Sequence, residues 1–184
     1  MRNTWVINFL SLFTLFFLSC TVLAQTNKST HTELGLVVGP WLPSNYTKLT
    51  EIVSLTGVRI APAFGAFRHE ITLLGGKGKG LEVNMLTWAI RNKVGVVDDL
   101  DLFWLFGIHY MRYKPKYAYT DIVLPEESAN GWFFGFGNFV GGKKLKARTE
   151  FTLAMRPGRH LYVGVGFIFA FGGDDKGAED TAKP

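Results

Sequence analysis

Cysteine is nearly missing from this chain. Its 184 residues include one, Cys20, so no disulfide can form within it, and thiolate metal sites would lack their usual partners. Long apolar runs are equally scarce. Beyond the first two dozen residues, none reaches the roughly 20 that carry a helix across a bilayer. The four histidines, His31, His69, His109 and His160, have no metal-ligand spacing, and neither a metal nor a cofactor is expected. Strong charge of one sign is absent too. A net charge of +5 does not require nucleic acid as a partner. In contrast, the chain holds 21 Gly and 16 Phe, with 47% hydrophobic and 15% aromatic residues. Glycine and aromatics in such number, without a second long apolar stretch, suggest strands.

The chain opens as an exported protein does. Met1-Arg2-Asn3 is basic, Trp5 to Leu18 is apolar, and Val22-Leu23-Ala24 supplies small residues before Gln25. This is the layout of a secretory signal peptide, with cleavage expected after Ala24. Removing residues 1–24 takes away Arg2 and no acid, so the net charge falls from +5 to +4. Export further argues against nucleic acid. A second processing route is open, because Phe17-Leu18-Ser19-Cys20 resembles the lipobox of bacterial lipoproteins and would leave Cys20 as a lipid-bearing first residue. Phe17 stands where that pattern usually has an aliphatic residue. The expected organisation is a signal peptide over 1–24, an N-terminal segment over 25–32, one domain over 33–171 and a polar tail over 172–184.

Period-two alternation dominates the domain. Leu145, Ala147, Thr149, Phe151, Leu153 and Met155 alternate with Lys146, Arg148, Glu150, Thr152 and Ala154. Successive strand residues face opposite ways, so this segment has one largely apolar and one strongly polar face. After the turn signal Arg156-Pro157-Gly158, the row Leu161, Val163, Val165, Phe167, Phe169, Phe171 alternates with His160, Tyr162, Gly164, Gly166, Ile168 and Ala170. Both segments reach the roughly 9–11 residues of a tilted membrane-crossing strand. The whole pattern predicts strands over 33–42, 55–64, 67–75, 80–91, 99–113, 130–140, 144–156 and 159–171. The Leu55–Gly75 stretch reads either as one bent strand or as two meeting near Gly65-Ala66, and the second choice makes eight. Residues 43–54 and 114–129 read as long loops, while 141–143 and 156–158 read as tight turns.

Backbone polar groups in hydrocarbon must pair within the protein, so strands cross a bilayer only as a closed barrel. The expected fold is therefore all-β, an up-and-down antiparallel transmembrane β-barrel of about eight strands. Leu145, Phe151, Leu153, Leu161, Val163, Val165, Phe167, Phe169 and Phe171 are expected to face lipid. The lumen is expected to hold Arg59, Glu82, Asp101, His109, Lys146, Arg148 and Glu150 as a paired ionic network filling a pore-less interior. Trp41, Trp88, Trp104, Trp132, Tyr110, Tyr113 and Tyr162 are candidates for the aromatic girdles at the two interfaces. The Leu161–Phe171 segment resembles the closing strand of small bacterial outer-membrane barrels, whose alternating apolar residues end in an aromatic recognised by the barrel assembly machinery. That resemblance implies the assembly machinery and outer-membrane lipids as partners. In those families the aromatic is usually the last residue, whereas here a tail follows Phe171.

No catalytic set is expected. Arg68-His69-Glu70 places a histidine beside a carboxylate, but adjacent strand residues point to opposite faces. The serines after Ala24 (Ser29, Ser44, Ser54 and Ser128) stand in no hydrolase motif. Gly75-Gly76-Lys77-Gly78-Lys79-Gly80 lacks the spacing of a phosphate-binding loop and reads as a hairpin with two lysines, able to touch anionic headgroups. The leading expectation is an integral outer-membrane barrel with a structural, adhesive or envelope-maintenance role. The alternatives are a secreted or periplasmic soluble barrel that binds an apolar ligand, with its phenylalanines turned inward, and a lipid-modifying membrane enzyme.

Overall fold

The computed structural model describes residues 31–44, 51–62, 68–97, 100–115, 127–155 and 159–172. The leader, its cleavage point, Cys20, nearly all of the tail and the Gly65-Ala66 position lie outside them. Eight strands follow in chain order: β1 (Thr32–Ser44), β2 (Val53–Ala61), β3 (Arg68–Lys77), β4 (Leu81–Val97), β5 (Leu100–Pro115), β6 (Glu127–Gly141), β7 (Leu145–Ala154) and β8 (Arg159–Phe171). Each pairs antiparallel with the next, and β8 pairs with β1, so the sheet closes on itself. The stretch from Leu55 to Gly75 is thus two strands. β4 runs further than its alternation suggests, because a register shift between Lys93 and Gly95 absorbs the broken pattern and lets pairing continue to Val97.

The strands are staggered. Leu34 leads through Ile60, Ile71, Trp88 and Ile108 to Trp132, whose carbonyl accepts from the Met155 N–H at 3.1 Å. Carrying the β7–β8 register one step past Ala154–His160 brings Arg159, which pairs with Ser44, ten residues beyond Leu34. This stagger tilts the strands and sets a narrow interior. Glycine makes close approaches between strands possible, as at Gly57, where a Cβ would sit 1.8 Å from the Leu73 carbonyl oxygen.

Connections 45–52, 78–80, 116–126 and 155–158 share one end of the barrel, the loop end. Connections 62–67, 98–99 and 142–144 lie at the other, the turn end, with the start of β1 and the end of β8. The two longest connections therefore fall together, and 155–158 shares their end, as alternation requires.

Inside and outside are sharply divided. Apolar side chains cover the outer wall on every strand, among them Leu36, Val58, Leu73, Trp88, Ile108, Phe136, Phe151 and Phe167, the last 57% exposed. The interior is filled. Toward the loop end Trp41, Val53, Leu55, Leu81, Val83 and Met111 are wholly buried in one apolar cluster with Tyr113 and Tyr162. A second cluster, including Phe103, Leu105, Phe133 and Phe139, lies across β5 and β6.

Candidate functional site

The polar chemistry of the molecule is concentrated in the lumen. Strand parity puts it there: Glu33 on β1, Arg59 on β2, Arg68 and Glu70 on β3, Arg91 on β4, and Arg148 and Glu150 on β7 all turn inward. Glu70 is the hub. Arg148 binds it through both guanidinium prongs, Nη1 to Oε1 at 2.7 Å and Nη2 to Oε2 at 3.0 Å. Arg91 Nη1 lies 2.7 Å from Glu70 Oε1, an ion pair whose angle falls short of a hydrogen bond. Arg59 Nε approaches Oε2 at 3.6 Å.

Glu150 is held by Arg59 Nη2 at 2.6 Å and by Arg148 Nε at 2.9 Å. Glu33 joins Arg91 at 2.7 Å and Arg68 at 3.0 Å. Buried charges are tolerated when paired in this way, because each carboxylate oxygen replaces lost water with a charged donor. Aromatic faces add to it: the Arg148 guanidinium stacks 4.5 Å from the Phe103 centroid, and that of Arg91 4.6 Å from Phe139. At the turn-end mouth Lys93 and Lys146 share Asp101, at 2.6 Å and 3.3 Å.

Between this network and the apolar cluster lies a cavity of about 30 Å3, lined by Thr72, Thr87, Thr152, His109, His160 and Tyr162 together with Arg59, Glu70 and Glu150. The His109 and His160 rings meet edge-on at 4.9 Å. That volume suits one or two waters, far short of the several hundred Å3 that a drug-sized ligand fills.

No protein-family model matches this chain, and no curated protein matches it in sequence. Solved structures do match. The N-terminal β-barrel domain of Pseudomonas aeruginosa OprF superposes with TM-score 0.61 at 10% identity, over 79% of this chain and 100% of that one. Neisserial surface protein A gives 0.59 at 6% identity, over 77% and 96%. Ail, the attachment invasion locus protein of Yersinia pestis, gives 0.50 at 8%, over 79% and 99%. The fold is that of the eight-stranded outer-membrane barrels.

On this outer-membrane-type barrel, the side chains singled out in the sequence fall in several places. Arg59, Arg148 and Glu150 belong to the buried network, and His109 lines the cavity. Asp101 and Lys146 pair at the turn-end mouth, half-exposed. Glu82 is a correction: it lies on the outer wall near the loop end, 3.6 Å from Lys77, because Leu81, Val83 and Met85 take the inward positions of β4. The apolar row Leu145, Phe151, Leu153, Val163, Val165, Phe167, Phe169 and Phe171 is exposed on the outer wall, and Leu161 is half-buried there.

The aromatics need a second correction. Trp41, Tyr113 and Tyr162 are interior, whereas Trp88, Tyr110 and Trp132 are outside and Trp104 is half-buried. Glu33, Arg68, Glu70 and Arg91 complete the network without having been singled out for it. For Glu70 the signal was present, since Glu70 and Thr72 alternate with His69, Ile71 and Leu73. The histidine beside it faces the other way: His69 stacks on Trp88 at 5.7 Å, so no His69–Glu70 dyad forms.

Proposed function

We propose that this chain is an integral outer-membrane β-barrel, placed there after export, whose loop end faces outward and serves a structural, adhesive or envelope-maintenance role. One observation carries the reading: apolar side chains cover the outside of all eight strands while the ionic residues close on one another inside. A soluble monomer rarely exposes a contiguous apolar patch beyond a few hundred Å2, and this one encircles the molecule. Strands of 9 to 17 residues suffice to cross a bilayer, which takes about 9–11 when tilted. Among the described residues no helix is long and apolar enough to do so. The filled lumen favours a scaffold over a pore.

A soluble carrier of apolar ligands would need the opposite arrangement, with phenylalanines around an internal cavity. The adhesive element draws on the likeness to Ail, an attachment invasion locus protein, and on loops 45–52 and 116–126 sharing one end. Envelope sedimentation followed by carbonate and urea extraction tests the assignment. The barrel is expected to stay in the pellet and to migrate differently on gels before and after boiling. Release into the carbonate supernatant would overturn it.

A further inference from the structure

The cavity inside the barrel is bounded by two cross-strand pairs. Thr72 and Thr87 pair on β3 and β4, and Thr152 and Tyr162 pair on β7 and β8. In a closed sheet of eight strands these two pairs of strands stand on opposite sides. Hydroxyl groups therefore line the cavity from both walls. Ala89 and Ala154, small and buried, leave the space between them open.

The Tyr162 hydroxyl decides what the cavity takes. Tyr162 is 3% exposed, and among the described residues its Oη has no hydrogen-bond partner. A hydroxyl buried in that state is costly, so it calls for a ligand that can bond it. Gly164 lets the ring lie beside Glu150, since a Cβ there would sit 2.8 Å from Tyr162 Cε1 and 3.0 Å from Glu150 Oε1. That carboxylate oxygen accepts from Arg59 Nη2 at 2.6 Å and keeps a second lone pair. Thr72 Oγ1 accepts from Arg59 Nε at 2.8 Å, which leaves its O–H to donate. The wall thus offers both donors and acceptors.

We propose that the cavity is a water-binding site, in which one or two held waters join the Tyr162 hydroxyl to the Glu150 carboxylate and, across the lumen, to the Thr72 hydroxyl. The space is sufficient, because one water takes about 10–15 Å3 measured in this way and the cavity has about 30 Å3. An ion fits less well. Each fully charged side chain on the wall is already answered, Arg59 by Glu150, and Glu70 by Arg148 and Arg91. The other titratable groups there are the edge-on rings of His109 and His160 and the Tyr162 phenol itself. A neutral molecule that both donates and accepts suits this mixture. Tyr162 belongs to the loop-end cluster and Glu150 to the ionic network, so the waters tie the two halves of the interior together. The site lies wholly inside, and the inference is independent of what meets the outer wall.

The test uses the barrel purified from envelopes in mild detergent. Oxygen-17 relaxation dispersion of the solvent registers waters held longer than the particle takes to tumble. Thr87→Leu, which fills the cavity, is expected to remove one or two such waters from the wild-type count, and Thr56→Val, outward on β2, to remove none. Tyr162→Phe tests the bond itself. A hydroxyl satisfied by water stabilises the fold, so its loss should shift the urea unfolding equilibrium about fivefold toward the unfolded chain. In a dry cavity the same hydroxyl would be lost at no cost or with a gain. An unchanged water count in folded Thr87→Leu, or a Tyr162→Phe barrel at least as stable as the wild type, would overturn the site. Should Thr87→Leu lose the heat-shifted gel form, and so fail to fold, Tyr162→Phe decides alone.

Discussion

At the residue scale, Glu70 is the side chain on which most of the interior depends. It is 1% exposed and surrounded by the guanidinium groups of Arg148, Arg91 and Arg59. Removing one member of a buried ionic set strands the others, at about 3–5 kcal/mol. Glu70→Gln is therefore expected to lower the unfolding free energy by about that much, read from the urea midpoint of the barrel refolded in lipid vesicles. His69→Ala is the comparison. It loses its stack on Trp88 at the outer wall and should cost less than about 1.5 kcal/mol. Equal effects from the two would contradict the central place of Glu70. In Arg68-His69-Glu70 strand parity already separates the histidine from the carboxylate in the sequence, and His69 does lie outward on Trp88 while Glu70 is buried inside.

At the scale of elements, β7 and β8 could be read from sequence because outer-wall and lumen-side residues differ in kind. Phe151 and Leu153 alternate with Arg148 and Glu150, and the register places each set as the alternation implies. β4 could not be read in this way. Its loop-end half faces an interior plug that is itself apolar, through Leu81, Val83 and Met85, so the contrast with Glu82 and Asn84 is reversed there and a polar-lumen rule puts Glu82 on the wrong side. The same plug explains Trp41, Tyr113 and Tyr162, which look like interface aromatics until the filled loop end is seen. Nor does any propensity announce the extension of β4 past Lys93, which depends on a bulge.

Two substitutions test the elements. Phe167→Arg puts a charge on the outer wall of β8 and should destabilise the barrel by about 2–4 kcal/mol if the site lies near the bilayer midplane, again measured by urea unfolding in vesicles. A change within about 0.5 kcal/mol, as an ordinary water-exposed surface site gives, would contradict the placement. Gly57→Val adds a side chain where a Cβ already meets the Leu73 carbonyl oxygen. It should break the β2–β3 pairing and abolish the heat-shifted gel form, whereas Thr56→Val, outward on the same strand, should keep it.

For the whole molecule, closure matters most. Eight strands with β8 returned to β1 leave no open sheet edge, so every strand can lie in hydrocarbon with its backbone paired. The count of eight was within reach of the sequence, because turn signals and alternation delimit most strands. The way the interior divides into an ionic centre and an apolar loop-end plug was not, since it depends on which residues the stagger of ten brings to one level. The most direct measurement of the account places a nitroxide at Phe167→Cys on β8 in the barrel reconstituted into vesicles, and compares its relaxation by oxygen and by a water-soluble nickel complex. Stronger relaxation by oxygen is predicted, as for a label in hydrocarbon. Stronger relaxation by nickel would put this wall in water and contradict the membrane assignment.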